Sequence, residues 1–133
     1  MRSTILRHAT LLLCTLLVAC ATLKDRTDRL EQAQRAYESA IRWGQFGVAY
    51  AMHRNADGST PTPSPRLGKY KVTSYHVLSS SVADDQNGAD QAVEIKYYNS
   101  DYMLEKTLTL RQHWRYDAPK QRWFITSAPP DFK

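Results

Sequence analysis

Hydrophobic and polar positions divide the chain into an apolar run, a helical stripe, a proline-rich break and a set of alternating segments. Ala9 to Ala19 is apolar except for Thr10, Cys14 and Thr15. From Lys24 onward, Leu30, Ala33, Tyr37, Ala40, Ile41 and Gly44 recur at spacings of three and four, separated by Arg29, Glu31, Gln34, Arg35, Glu38 and Arg42. That is one apolar stripe on a charged cylinder, and it predicts a helix over 24–43. Asp25 and Asp28 suit its positive end, and Asp28–Gln32 and Glu31–Arg35 have supporting i,i+4 spacing. Gly44-Gln45-Phe46-Gly47 weakens the helix, so a bend and a short second helix over 45–53 are expected, with Val48, Ala49 and Met52 inward. A single helix running through Gly44 is the alternative.

Residues 55–68 read as a linker, because Asp57-Gly58 is a turn pair and Pro61, Pro63 and Pro65 exclude regular structure. Residues 69–127 then alternate as a sheet. Tyr70, Val72, Ser74, His76, Leu78 and Val82 form one face of the first strand. Val93, Ile95 and Tyr97 alternate over 92–98, and a long strand over 102–117 keeps Tyr102, Leu104, Leu108, Leu110, Trp114 and Tyr116 in phase. Lys106 and Gln112 interrupt that phase, which predicts an edge, a bulge or a partly covered face. Residues 123–126 form the last strand, and the proline-containing tail cannot continue it. The expected class is therefore α+β: an amphipathic helix and a short second helix packed on a curved antiparallel sheet of about four strands.

Composition narrows the picture. The formal charge of +5 has interspersed signs and falls to +3 if residues 1–19 leave with Arg2 and Arg7. This is not the clustered basic face of a nucleic-acid binder. The two cysteines are Cys14 and Cys20. A domain over 24–133 thus has neither a disulfide nor a thiol for catalysis or metal ligation and must stand on its hydrophobic core.

Arg2 and Arg7 followed by about 11 apolar residues and small residues form a secretory layout. The run is too short to span a bilayer, which needs about 20 residues. Leu17-Val18-Ala19-Cys20 resembles a bacterial lipobox. The resemblance implies removal of residues 1–19 between Ala19 and Cys20, lipidation of Cys20, and a short tether over 20–23. Acyl chains contribute about 0.8 kcal/mol per buried methylene, so several on one residue make a lasting membrane anchor. Alternatively, Ala19-Cys20-Ala21 is an A-x-A site, and cleavage after Ala21 leaves a soluble periplasmic protein. By resemblance to enterobacterial sorting signals, Ala21 after the cysteine implies the outer membrane, facing the periplasm.

Tyr37-x-x-Ala40-Ile41-x-Trp43-Gly44-x-Phe46 resembles the first-helix exit of small α+β cone domains, the cystatin-like and nuclear-transport-factor-2-like group. Trp114-x-Tyr116, Trp123-x-Ile125 and Pro130-x-Phe132 are similar to the last hairpin of uncharacterised bacterial lipoproteins. These are packing motifs. They imply a fold, and the fold hosts enzymes, binders and scaffolds alike.

Catalytic members of that group carry acids and bases on inward strand positions. Here the inward ionisable groups are expected to be His76 and Lys106, with Glu94 and Glu105 pointing the other way. A general base needs a partner that orients it, and His76 has none in this register. The serine run Ser79-Ser80-Ser81 is expected to have no base beside it. His53, His76 and His113 lack ligand spacing, so neither a metal nor a cofactor is expected. Tyr70, His76, Tyr97, Trp114 and Trp123 are the candidate pocket or partner face. The expected function is a non-enzymatic envelope lipoprotein that binds another envelope protein or a second copy through its sheet. A binder of small apolar ligands in an aromatic-lined cone is the alternative.

Overall fold

The computed structural model describes residues 2–133, with side chains from Thr22 onward. Two helices, α1 (Arg2–Arg42) and α2 (Phe46–Ala51), precede a short 3₁₀ turn (Pro65–Lys69). Four strands follow: β1 (Tyr70–Val82), β2 (Gly88–Asn99), β3 (Glu105–Asp117) and β4 (Arg122–Ile125). They pair antiparallel in the order β1-β2-β3-β4, so the fold is the expected α+β meander under a helix.

The stripe on α1 packs as its spacing requires. Leu30, Tyr37, Ala40 and Ile41 are buried, and Ala33 packs against them. Asp25–Arg29, Glu31–Arg35 and Glu38–Arg42 form ion pairs on the opposite face. All are exposed or half-exposed, so each stabilises the helix by only a few tenths of a kcal/mol. The helix stops at Gly44, whose φ is +68°. There the Gln45 N–H reaches the Ala40 carbonyl at 2.8 Å and the Gly44 N–H reaches Ile41 at 3.2 Å. This is a Schellman cap, and it turns the chain into α2. Phe46, Ala49 and Tyr50 are the buried positions of α2, while Val48 is exposed, contrary to expectation. Six residues make fewer than two turns, and the tight cap turns Val48 toward solvent.

The linker is not wholly irregular, because Pro65 starts the 3₁₀ turn and buries Leu67. β1 departs furthest from its expected face. Its register against β2 shifts between Val72 and Ser74 and again between Val77 and Ser79. An extra residue in a strand reverses the side-chain alternation beyond it. Tyr75 therefore points into the core and His76 out of it. β2 and β3 keep one register throughout, burying Val93, Ile95, Tyr97, Gln112 and Trp114. β2 also starts earlier than the alternation suggested, at Gly88, burying Ala89 and Gln91. Tyr102 and Leu104 leave the strand for the β2–β3 tip, where Met103 has φ 53°.

The tail folds back over the concave face. Phe132 is fully buried and packs on Phe46, Tyr70 and Tyr97. β4 pairs with only Trp114–Asp117 of β3. Its outer edge is covered by residues leaving α2: the Arg54 N–H reaches the Ile125 carbonyl at 2.8 Å, and the Ile125 N–H reaches Met52 at 2.9 Å.

Candidate functional site

Four of the five candidate face residues, Tyr70, Tyr97, Trp114 and Trp123, come together as core; Trp123 also borders a surface groove with Arg29, Ala33, Met52 and Arg122, and Tyr97 borders one beside Leu108, Leu110 and the tail. Tyr70 and Tyr97 clasp Phe132. Trp114 stands edge-on to Tyr37, and the Trp123 indole donates to the Arg26 carbonyl at 3.0 Å. Their polar tips serve packing. The fifth, His76, is corrected to the outer face by the bulge. There it lies directly opposite Glu94, so the carboxylate expected on the other side shares its face after all. The pair stands on the outer face of the sheet, His76 exposed and Glu94 half-buried. Lys106 keeps its predicted phase with Leu108 and is exposed, its Nζ donating to the Lys133 carbonyl at 2.8 Å.

The side chains of Leu17, Val18, Ala19 and Cys20, which carry the predicted cleavage and lipidation, lie outside the described residues. Among the described residues no helix is long and apolar enough to cross a membrane.

Two polar clusters escaped the sequence reading. The first is buried. His53 Nδ1 lies 2.9 Å from the Ser127 carbonyl and Nε2 lies 3.0 Å from the Tyr37 hydroxyl. A carbonyl only accepts, so Nδ1 carries the proton and Nε2 accepts from Tyr37. Burial lowers the His53 pKa, opposed by the bond to Ser127. Burial also raises the Tyr37 phenol, which stays protonated and remains a donor. Beside this cluster, Gln112 donates to the Tyr75 hydroxyl at 2.9 Å and accepts from the Trp114 indole at 3.3 Å. The only advance signal was Gln112 breaking an apolar phase.

The second cluster is on the outer face. Asp90 accepts a hydrogen bond from His113 Nδ1, and Ser79, Ser81 and Arg111 share the same shallow depression. The serine run thus has a histidine near it, which the linear sequence hid. Across the strands the order is Ser81, Asp90, His113. The carboxylate sits in the middle, whereas a nucleophilic relay needs the imidazole between hydroxyl and carboxylate. Among the described residues no hydrogen bond joins a serine hydroxyl to the His113 ring, and no three metal-ligating side chains converge.

Among the exposed features are the outer edge of β3 and the β2–β3 tip. Tyr102, Met103 and Leu104 are 79%, 70% and 64% exposed in succession. Beyond them, Glu105–Arg111 of β3 has β2 on one side and, among the described residues, no paired strand on the other. Next to that edge a surface groove runs between Leu108 and Leu110 and the tail at Ser127–Pro129. No family model, curated protein or solved structure matches this chain.

Proposed function

We propose that the chain is a lipid-anchored protein of the bacterial cell envelope whose folded part is a non-catalytic interaction or assembly module. The lipobox-like Leu17-Val18-Ala19-Cys20 at the end of the apolar run carries this reading. A thiol suits acyl transfer because thiolate is a strong nucleophile, and Ala21 favours the outer membrane. The interior supports a module that presents a surface. Among its polar side chains, His53, Gln112, Tyr37 and Tyr75 bond to one another or to backbone, although Gln34 Nε2 and Gln86 Oε1 are buried without a partner, and the tail fills the concave face. The small-ligand alternative needs the space between Tyr70 and Tyr97 that Phe132 occupies.

Intact-mass measurement and fractionation of the protein made in a two-membrane bacterium test the anchor. The expected product begins at Cys20, carries acyl mass and sediments with the outer membrane. Cys20→Ser should lose the acyl mass and leave the membrane fraction. A wild-type product beginning at Thr22, without acyl mass, overturns the anchor.

A further inference from the structure

We infer that the open edge of β3 pairs antiparallel with the same edge of a second copy, with Leu108 on the two-fold axis. His113 fixes which backbone groups are free. Its carbonyl accepts from the Thr126 N–H at 2.9 Å and its N–H reaches the Ser127 hydroxyl at 3.2 Å, so both point away from β2. Alternate residues of a strand direct their backbone groups to the same side. The β2–β3 register is unbroken, so Arg111, Thr109, Thr107 and Glu105 also direct theirs to the open edge.

A two-fold axis perpendicular to the sheet pairs inward residues with inward and outward with outward. With Leu108 on the axis, Thr107 faces Thr109 and Glu105 faces Arg111 of the other copy. Every free backbone group is then used, and the outer row closes with an ion pair at each end. The Arg111 guanidinium has no ion pair among the described residues. Glu105 spends one carboxylate oxygen on the Thr73 hydroxyl at 2.9 Å and has the other available. Moving the axis to Thr109 sets Glu105 against His113, whose backbone is already occupied. Moving it to Thr107 leaves Arg111 facing Met103. The charges and the closed end therefore select one register.

On the inner side the half-buried Leu108 meets its own copy, and Leu110 meets the Lys106 stem. β1, the other edge, is a poor template, because its two bulges break the repeat that a straight partner needs. A seven-residue strand pair is a small interface. This inference names the partner of the assembly reading and rests on it, since a lipid anchor confines both copies to one membrane and raises their effective concentration.

Facing residues in a non-hydrogen-bonded antiparallel pair have close β-carbons, within reach of a disulfide. Leu108→Cys in the full chain, oxidised mildly in isolated membranes, should run mainly as a disulfide dimer. Thr107→Cys, which faces Thr109, should remain monomeric; native Cys20 is present in both variants, so any dimer through it appears equally in each. Within the Leu108→Cys chain, Glu105→Arg or Arg111→Glu should reduce the dimer and the two together should restore it. Leu108→Cys that stays monomeric, crosslinks no better than Thr107→Cys, or captures a chain of different mass overturns self-pairing. Acyl mass is read on the same membranes. Acyl mass retained without a dimer refutes the pairing alone, and a dimer without acyl mass refutes the anchor alone.

Discussion

Tyr37 and His53 meet in the core, hydroxyl to Nε2 at 3.0 Å, joining the C-terminal end of α1 to the exit of α2. Through Nδ1 the same ring also holds the tail at Ser127. The imidazole must be neutral to play both parts without placing a charge in the interior. Burial lowers its pKa in the fold from the ordinary value near 6.5. Between those two values the unfolded chain binds a proton that the fold does not, so stability falls as pH drops through the window and levels off below it. Denaturation midpoints should therefore decline as pH falls through the ordinary histidine value near 6.5 and below it. His53→Ala should cost about 2–3 kcal/mol at the upper end, with the gap to wild type narrowing toward the lower. A constant gap would show that His53 titrates alike in both states.

Among the described residues Gln112 is the side chain that satisfies both the Tyr75 hydroxyl and the Trp114 indole. Replacing it with Leu keeps the volume roughly and strands two buried polar groups, at about 2–4 kcal/mol in total. Adding Tyr75→Phe removes one stranded group, so the double variant should regain about 1 kcal/mol. Urea denaturation of the three variants checks this, and an additive double variant would mean the hydroxyl had found water.

The parts of the fold set by periodicity were legible in the sequence, and the parts set by an added residue were not. The α1 stripe from Leu30 to Ile41 and the Val93-Ile95-Tyr97 alternation read correctly because each repeats over several turns or pleats. The face of β1 did not, because one bulged residue near Thr73 exchanged Tyr75 for His76 and nothing in the composition marks it. That single slip moved His76, one of the two ionisable groups expected to face inward, out of the core. The tail was legible as a strand breaker, but its return to bury Phe132 depends on the mouth left by Phe46, Tyr70 and Tyr97, which come from three other elements. The Asp90–His113 pair likewise exists only once β2 lies against β3.

At Gly44 the cost of a side chain is conformational and not steric. A Cβ there would meet nothing nearer than Phe46 Cε2 at 3.9 Å, an ordinary contact, while φ is +68°. Gly44→Ala should cost about 1 kcal/mol, and Gly44→Asn less, since Asn tolerates the left-handed region. Equal losses for both would point to a crowding that the cap does not contain.

Phe132 closes the concave face, its ring 4.7 Å from Tyr97 and 5.8 Å from Tyr70, centroid to centroid. Truncation to Ala removes a fully buried aromatic whose neighbours are themselves fixed. Tyr97 exchanges hydrogen bonds with Lys133, and Arg66 pairs with Asp131 at 2.6 Å, so the tail remains in place. The site then collapses little, and the loss should reach about 3–5 kcal/mol. The space left is walled by aromatic rings, and such cavities stay dry and admit small apolar molecules. Benzene should therefore raise the thermal midpoint of Phe132→Ala and leave wild type unchanged. If benzene stabilises wild type as much as the variant, the concave face already has room for a ligand, and the ligand-binding alternative displaces the assembly module.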